Sequence, residues 1–321
     1  MNTDSLKPGA PAIQFSVVSP VFNEEALCRD LCEQLAVTIA QTGEPFEIII
    51  VDDGSTDRTC EILREESQHR PYLRVVQLSR NFGQEAAICA GMSLATGEEV
   101  ILIDGDLQDP PEVIPQLIAK KREGYNVVYG HKYGRKEGFF RRRLTQIFYF
   151  LMYFFSQARF PIDAGIFSII DRRIAQLILG LTENNKHFSG LRAFVGFRQG
   201  HVSYERTQRM AGQGKSFLHL LRMGANAFFA FSIFPLRAMS FLLLFVVIWG
   251  LGIVGWGIIS AATGTPGIGH LELFSVIATV VVALGVIILC EYIGRIHEQS
   301  KGRPHFIINS VIAHGLETPE D

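Results

Sequence analysis

The chain lacks several sequence features that would assign it to other functional classes. No Gly-x-Gly-x-x-Gly follows the first predicted strand and no Walker A sequence is present, which argues against dinucleotide and ATP-hydrolysing sites. The Gly-x-Ser-x-Gly turn of hydrolases is also missing. Cysteine is scarce and odd in number, with five residues, so a disulfide framework is not expected. The net charge of −2 gives no indication of a nucleic-acid partner.

The N-terminus lacks the apolar segment of a secretory signal. Residues 1–14 are polar and contain Pro8 and Pro11. We therefore expect residues 1–13 to form a flexible N-terminus and the domain after them to stay in the cytoplasm. The chain after about residue 310 is also short and polar, and we expect it to be poorly ordered.

Apolar runs alternate with helix-like segments through the first half of the chain. The runs typical of buried strands are 15–21, 46–51, 73–78 and 100–103. The helix-like segments are 24–41, the stretch from 57, 84–95 and the stretch from Pro110 to about 123. This alternation predicts an α/β fold with a mostly parallel sheet covered by helices on both faces. Ligands of such sheets bind beyond the carboxyl ends of the strands.

Two long uncharged runs predict membrane-spanning helices near the C-terminus. Residues 239–262 contain no charge and would form a helix of about 36 Å, enough to cross a bilayer. A second uncharged run covers 273–290. The connection between the runs has no Lys or Arg, whereas both outer flanks are basic, so both flanks are predicted to be cytoplasmic. Two buried core helices are the alternative.

Two aromatic stretches, 139–157 and 217–234, have the composition of interfacial helices. The first places Arg141, Arg142 and Arg143 beside many aromatic residues, and the second is similar with fewer charges. Basic residues suit anionic lipid headgroups and aromatic residues suit the boundary of the acyl chains. Buried core helices are again the alternative, although they would not explain the three arginines.

The strongest local signal for chemistry is an acidic turn, Asp-Gly-Asp-Leu-Gln-Asp, at residues 104–109. The carboxylates of Asp104 and Asp106 can together hold a hard divalent cation, Mg²⁺ or Mn²⁺, along with phosphate oxygens of a substrate. Such a cation neutralises charge on a departing diphosphate. A solvated turn without a ligand is the alternative, because Asp-x-Asp alone is a common pattern.

A second acidic turn, Asp-Asp-Gly-Ser-Thr-Asp at residues 52–57, follows the second predicted strand. A carboxylate here can accept hydrogen bonds from a nucleotide base or from a ribose hydroxyl. The alternative is an Asx turn with a helix N-cap, which Ser55 or Thr56 could supply. Residues 20–24, which follow the first strand, are expected to line the same edge.

These motifs resemble those of a known enzyme family. Residues 20–24, 52–57, 79–83 and 104–111 stand in the order found in family 2 glycosyltransferases with a GT-A fold. The last two motifs and the two C-terminal apolar runs resemble the polyisoprenyl-phosphate glycosyltransferases, relatives of dolichol-phosphate mannose synthase. The resemblance covers nearly all of residues 14–310.

The resemblance implies a fold, a site and an assembly. The fold is a Rossmann-like GT-A domain with a mostly parallel sheet, followed by a C-terminal α-helical transmembrane hairpin. Asp104, Asp106 and Gln108 would surround the metal ion and the diphosphate. The nucleotide-sugar site would include Pro20, Phe22, Glu24, Asp52, Asp53, Asp104 and Gln108. The family also implies a homo-oligomer, a tetramer, for which the sequence offers no independent evidence.

The resemblance further implies an acceptor loop near 163–172 and a basic loop from Arg206 to Lys215. In the basic loop Arg206, Arg209 and Lys215 accompany two glycines. Glycine lets backbone N–H groups approach an anion while the cationic side chains supply charge, so this loop is predicted to bind phosphate of the donor or acceptor. A solvated loop is the alternative.

The acceptor loop departs from the family pattern. Relatives often carry a Gly-Asp-Phe-Arg motif, whose acidic residue is proposed to orient or deprotonate the acceptor, whereas this chain has Ile166 and Ser168 in the Asp and Arg positions. Asp163 is the candidate to replace the acidic residue. A phosphate acceptor needs little help from a base, because its second pKa is about 6.

We therefore predict a metal-dependent, inverting transfer of a sugar from a UDP- or GDP-sugar to a polyisoprenyl phosphate, either undecaprenyl or dolichyl. The enzyme is expected in the inner (plasma) membrane as a multi-pass protein with a cytoplasmic catalytic domain. The predicted parts are a GT-A domain (14–216), a juxtamembrane helix (217–236), two transmembrane helices within 237–295 (about 239–262 and 272–293) and a cytoplasmic tail (296–321). The alternatives are a polysaccharide synthase and a membrane-anchored nucleotide-sugar-binding protein with degenerate catalysis.

Overall fold

The computed structural model describes residues 12–133, 164–181, 188–205, 234–264, 271–314 and 316–319. These residues fall into two units. The first holds the strands and the shorter helices, and includes the C-terminal residues from 304 onward. The second holds the two long C-terminal helices. The predicted interfacial helix at 139–157 and residues 217–233 of the predicted juxtamembrane helix lie outside the described residues.

The first unit alternates strands and helices. Its elements are β1 (Phe15–Val21), α1 (Cys28–Ala40), β2 (Phe46–Asp52), α2 (Thr59–His69), β3 (Leu73–Leu78), α3 (Gln84–Leu94), β4 (Glu99–Leu102), a 3₁₀ turn (Pro111–Val113), α4 (Ile114–Lys121), β5 (Val127–Tyr133), β6 (Ala164–Asp171), α5 (Arg172–Gly180), α6 (Phe188–Phe194), β7 (Gln199–Glu205), β8 (Ile308–Ala313) and β9 (Leu316–Pro319). The four predicted strands correspond to β1–β4, so the sequence pattern located them correctly.

In the described part of the chain, nine strands form one sheet in the order β7-β5-β6-β4-β1-β2-β3-β8-β9. The four central strands are parallel: β1 pairs with β2 and β4, and β2 pairs with β3. This centre confirms the predicted α/β sheet. The outer strands add antiparallel pairs, β6 with β4 and β5 on one side and β8 with β3 on the other. The whole sheet is therefore mixed.

The C-terminal residues correct one prediction. We expected the chain after about 310 to be poorly ordered, within a tail at 296–321, but β8 pairs with β3 and β9 pairs with β8. The prediction failed because β8, which lies between β3 and β9, buries only some of its side chains and therefore has no continuous apolar run. The side chain of Ile312 is fully buried, whereas Asn309 is exposed and donates to Gln77.

Apolar side chains cover both faces of the sheet. Along β2, Ile48 and Ile50 belong to one buried cluster, whereas Ile49 and Val51 belong to the other. Helices α1, α2 and α4 contribute to the first cluster, and α3, α5 and α6 contribute to the second. Because both faces are covered, the ends of the central strands remain as places for a ligand.

The second unit consists of α7 (Phe234–Thr263) and α8 (Leu271–Ser300). Both helices are long and apolar enough to cross a membrane, as judged by length and composition. Large apolar side chains such as Phe241, Leu251 and Ile258 are exposed on α7. The helices pack through Trp249 and Phe274, whose rings are 5.2 Å apart. Both predicted spans, 239–262 and 272–293, lie within these helices.

Candidate active site

The three predicted site loops lie at one edge of the sheet. They follow β1, β2 and β4, which are parallel neighbours, so their carboxyl ends point the same way. The register places Val21 opposite Asp52, where β1 and β2 end together. Beyond β4, the N–H group of Ile103 donates to the carbonyl of Val18 and continues the pairing toward Asp104.

The turn after β2 directs its first carboxylate into the protein. Asp52 is fully buried, and its Oδ1 accepts from the N–H group of Ser55 at 3.0 Å. Its Oδ2 is also buried and has no hydrogen-bond partner in the described part of the chain. Burial raises the pKa of Asp52 despite the hydrogen bonds from Ser55. Nucleotide binding by Asp52 stays a prediction.

Asp53 fastens the loop after β3 to the same edge. Its Oδ1 accepts from the N–H of Phe82 at 2.7 Å and its Oδ2 from the N–H of Gly83 at 2.9 Å. Gly54 adopts a φ of 66°, and a Cβ there would lie 2.5 Å from the carbonyl carbon of Arg80. Burial raises the pKa of Asp53, against the lowering effect of these hydrogen bonds. Both carboxylate oxygens of Asp53 are therefore occupied by backbone hydrogen bonds.

The loop after β1 interlocks with the turn after β2. The N–H of Asn23 donates to Ser55 Oγ at 2.9 Å, and its Oδ1 accepts from the N–H of Thr56 at 2.8 Å. Asp57 accepts from the N–H of Thr59, the first residue of α2, at 3.0 Å. The N-cap position of α2 is Arg58, which makes no side-chain cap, so the alternative of a cap from Ser55 or Thr56 is not found. These contacts make the first two loops one rigid wall.

Three residues of that wall were predicted to contact the nucleotide-sugar. Pro20 is buried in β1, Phe22 exposes 42% of its surface, and Glu24 is half-buried. The exposed ring of Phe22 has the surface needed to contact a ligand. The carbonyl oxygen of Pro20 lies close to Gly105, where a Cβ would be only 2.5 Å from it. The ligand-binding roles of all three residues remain predictions.

The turn after β4 alternates between exposed and buried side chains. Asp104, Asp106 and Gln108 are partly exposed, whereas Gly105 and Leu107 are buried. This alternation requires an unusual backbone, because Leu107 has a φ of 53°. It also requires glycine at 105, where a Cβ would lie 2.5 Å from the Pro20 carbonyl oxygen. Three oxygen-bearing side chains are thus presented at partly exposed positions.

Hydrogen bonds orient the two carboxylates of this turn. Asp104 Oδ1 accepts from Gln84 Nε2 at 2.6 Å, which connects the turn to the first residue of α3. Asp106 Oδ1 accepts from the N–H of Gln108 at 3.2 Å. The turn is therefore shaped before any ligand binds.

Asp109 anchors the turn through contacts in the protein interior. It is fully buried, with its Oδ2 3.0 Å from Lys132 Nζ and its Oδ1 accepting from the Tyr204 hydroxyl at 2.7 Å. Gly165 leaves room for Lys132, since a Cβ there would lie 2.8 Å from Nζ. Our sequence reasoning missed Lys132 and Tyr204, because they lie on β5 and β7 and no local motif marks them.

The donors of the second turn fit a hard divalent cation. Among the described residues no group of three His, Cys, Asp or Glu side chains could hold a metal ion. Mg²⁺ and Mn²⁺ need no such group when the substrate supplies phosphate oxygens and water completes the shell. Two half-exposed carboxylates and the amide oxygen of Gln108 match that requirement.

Four of the predicted site residues cannot be placed. Asp163, Arg206, Arg209 and Lys215 lie outside the described residues. The two residues that depart from the family pattern are described in β6. Ile166 is partly buried, and Ser168 is buried with its hydroxyl donating to the Ile166 carbonyl at 2.8 Å.

Comparisons with known proteins relate this geometry to a family. The family model described as Glycosyl transferase family 2 matches residues 16–179. The chain is 39% identical over 318 residues to the Bacillus subtilis (strain 168) protein named uncharacterized glycosyltransferase YkcC, with 95% of each covered. It is 33% identical over 303 residues to the bactoprenol glucosyl transferase of Shigella phage SfX, with 93% of this chain and 99% of that protein covered.

A solved structure with a similar fold is glucosyl-3-phosphoglycerate synthase from Mycobacterium tuberculosis, in complex with Mn²⁺, uridine diphosphate and glucosyl-3-phosphoglycerate. The TM-score is 0.48 and the sequence identity is 20%. The matched region covers 70% of this chain and 84% of that one.

Proposed function

Because the chain belongs to glycosyltransferase family 2, and is therefore a sugar-transferring enzyme, we propose that it moves a sugar from a nucleotide-sugar onto a polyprenyl phosphate. One observation carries the choice of acceptor. The similarity to the phage bactoprenol glucosyl transferase extends over 93% of this chain, so it includes the two long apolar helices as well as the sheet.

The proposed reaction is direct attack of the lipid phosphate on the anomeric carbon, which inverts its configuration. A phosphate monoester has a second pKa of about 6 and is mostly ionised at neutral pH, so it attacks without a strong base. The presence of Ile166 and Ser168 in β6 is compatible with such an acceptor. Asp163 remains the candidate for orienting it.

Asp104, Asp106 and Gln108 are the residues that would hold Mg²⁺ or Mn²⁺. When bound, the cation would neutralise charge on the departing nucleoside diphosphate. The contribution of the chain is to fix the ligands in advance: Gln84 orients Asp104, and Asp109 holds the turn from the buried side. Fixed ligands need little reorganisation during the reaction.

The nucleotide portion of the donor is assigned to the wall formed by the loops after β1 and β2. Phe22 offers an exposed ring and Glu24 a partly exposed carboxylate. Asp52 lies opposite Val21, the residue before Phe22, at the end of the neighbouring strand. The cationic residues Arg206, Arg209 and Lys215 are proposed to bind phosphate of the donor or acceptor, because guanidinium and ammonium groups suit that anion.

The two apolar helices support membrane association of this enzyme. The chain leaves the sheet after β7 and rejoins it at β8, so the segment between these strands has both ends on the same side of a bilayer. A two-helix hairpin satisfies this condition. The basic flanks favour the cytoplasmic side of the inner (plasma) membrane, where a soluble nucleotide-sugar is available. The homo-oligomer implied by the family stays part of this proposal.

A transfer assay tests the proposal. Purified full-length protein is incubated with polyprenyl phosphate, Mg²⁺ or Mn²⁺, and each of a panel of UDP- and GDP-sugars labelled in the sugar. We expect label from one donor to enter the lipid fraction, and the transfer to stop when EDTA is added. Donor binding without transfer to lipid would contradict the proposal and favour a nucleotide-sugar-binding protein.

A further inference from the structure

Arg192, in α6, is a buried cation that the proposed reaction has not yet used. Its side chain is fully buried. Its Nη1 donates to the carbonyl oxygen of Gly165 at 3.2 Å, and its guanidinium carbon lies 4.7 Å from the centre of the Tyr129 ring. These two contacts hold one side of the guanidinium group.

The other side of the guanidinium lacks partners. Nε and Nη2 are buried and have no hydrogen-bond partner among the residues that the structure describes. Burial lowers the pKa of Arg192 to about 10, and the nearby charge of Glu85 only partly opposes this effect. At neutral pH the group is therefore a buried charge that makes no ion pair within the described part of the chain, and Glu85 acts on it only as a nearby charge. Such an arrangement is costly in a folded protein.

The buried cation Lys132, unlike Arg192, forms an ion pair within the protein. Both side chains lie near Gly165: a Cβ there would be 2.8 Å from Lys132 Nζ, and Arg192 donates to its carbonyl oxygen. Lys132 is compensated by the buried carboxylate of Asp109 at 3.0 Å. Arg192 has no such carboxylate in the described part of the chain. Of these two buried cations, Lys132 is thus paired within the protein, whereas Arg192 makes no ion pair among the described residues.

Described contacts connect Arg192 to the acidic turn. Strand β6 runs antiparallel to β4 with Ser168 opposite Leu102, so Gly165 lies at the edge of the sheet where β4 ends. A second connection runs through α3, where Gln84 binds Asp104 and Glu85 accepts from the N–H of Phe188 at 2.9 Å. Phe188 begins α6, the helix that carries Arg192.

Arg192 also lies one layer beneath the surface. Two residues that contact it, Gly165 and Tyr129, are partly exposed. Ile166 packs in the same cluster as Phe188 and Leu191 of α6, so the face of β6 that carries this departure from the family motif is the face toward α6. A long flexible side chain could bring the guanidinium to a ligand at this edge by a change of rotamer.

We propose that Arg192 binds a phosphate group of a substrate at this edge of the sheet, through the Nε and Nη2 groups that the protein leaves without partners. A guanidinium group donates two parallel hydrogen bonds to phosphate oxygens, and Nε with one Nη forms such a pair of donors. The phosphate belongs either to the donor diphosphate or to the lipid acceptor, and the inference rests on the proposed function in assigning it to these substrates.

Thermal-shift titrations of the purified full chain and of Arg192→Met test this inference. The donor probes are UDP and GDP with Mg²⁺, and inorganic pyrophosphate; the acceptor probe is farnesyl phosphate. We expect Arg192→Met to raise the apparent Kd for one class of probe about tenfold to a hundredfold, as the loss of charge-assisted hydrogen bonds predicts. The affected class identifies the source of the phosphate. Arg192→Lys keeps the positive charge but lacks the paired donors of the guanidinium group, so its apparent Kd should lie between those of the wild type and Arg192→Met.

Arg198 offers a matched control. Its guanidinium carbon also lies over a tyrosine ring, 4.5 Å from the centre of Tyr125, and its Nη1 also meets a glycine carbonyl, that of Gly124 at 3.5 Å. It is exposed, however, and lies away from the acidic turn. Arg198→Met removes the same charge and should leave the Kd values for all probes unchanged.

Melting temperatures without ligand give an independent test. Removing a buried charge that has no ion pair should offset the loss of the Gly165 hydrogen bond and the Tyr129 contact, so the melting temperature of Arg192→Met should be close to that of the wild type. A large decrease, or failure to fold, would show that Arg192 is paired within the protein and would overturn the inference, as would unchanged Kd values for every probe. Because no probe requires turnover, a protein without lipid transfer could still show the expected loss of binding.

Discussion

The two acidic turns at the edge of the sheet contain similar residues and use them differently. In the turn after β2, Asp52 and Asp53 are buried and Asp53 accepts two backbone N–H groups. In the turn after β4, Asp104 and Asp106 are partly exposed, and only Asp109 is fully buried. Acidic residues at a strand end therefore do not identify a metal site by themselves. The exposure of each carboxylate distinguishes those that can bind a ligand from those that hold the protein backbone in place.

The chemical difference follows from burial. Burial raises the pKa values of Asp52 and Asp53, so holding them ionised at neutral pH costs stability that their hydrogen bonds partly recover. The buried carboxylate of the second turn, Asp109, is instead compensated by Lys132. The first turn thus builds the wall of the site, and the second presents oxygen atoms that a cation could share with a substrate.

Asp106→Ala should have the largest effect on sugar transfer. Loss of a metal ligand should lower kcat by about a thousandfold or more, since electrostatic stabilisation of the leaving group is commonly the largest catalytic contribution. The free energy of unfolding should stay within about 0.5 kcal/mol of the wild type, because the side chain is partly exposed. Transfer rates with labelled donor and urea denaturation measure the two quantities. Activity close to that of the wild type would show that the second turn does not hold the metal ion.

Asp53→Ala should reduce stability strongly and activity only weakly. Two N–H groups, of Phe82 and Gly83, would lose their acceptor, and the free energy of unfolding should fall by about 2–4 kcal/mol. Urea denaturation measures this loss. Transfer per folded molecule should fall much less than in Asp106→Ala, and KM for the donor decides between the two roles of Asp53. A large rise in KM without loss of stability would favour the direct contact with the nucleotide that the sequence predicted.

The sequence predicted the central strands well because local composition determines them. β1–β4 are short apolar runs that end at turn residues. Parallel strands that are buried on both faces are recognised from such continuous apolar runs alone. The acidic turns were found for the same reason, since each motif is contiguous in the chain. Helix starts were less accurate: α1 begins at Cys28 rather than near Glu24, because residues 23–25 bond to the neighbouring turn instead.

The remaining features depend on contacts between distant residues. The C-terminal strand β8 joins β3 more than 200 residues away in sequence, and its polar residues resemble a tail. Lys132 and Tyr204 meet Asp109 only after β5 and β7 pair. Arg192 is an ordinary surface residue by its sequence context, and only the packing of α6 shows that it is buried. Such roles follow from tertiary structure, for which one sequence provides no direct signal.

Glu47→Gln should have the smallest effect, and it examines a buried carboxylate whose pKa is lowered, in contrast to the raised pKa values of Asp52 and Asp53. Glu47 is a buried carboxylate at the opposite end of β2. Burial would raise its pKa too, but Ser16 at 2.6 Å, Thr96 at 2.7 Å and Arg74 at 2.9 Å bring its pKa below the ordinary value. The carboxylate therefore stabilises the folded protein at neutral pH.

The pH dependence has a definite sign. A carboxyl group whose pKa is lower in the folded state contributes its full stability above the unfolded pKa of 4.5 and loses it as the pH falls through the folded value. Glu47→Gln should cost about 1–2 kcal/mol at pH 7, and its difference from the wild type should shrink below about pH 4.5. Urea denaturation at a series of pH values measures this, with the exposed Glu44→Gln as a control. A difference that persists or grows in acid would mean that packing, rather than the ionised carboxylate, accounts for the contribution of Glu47 to stability.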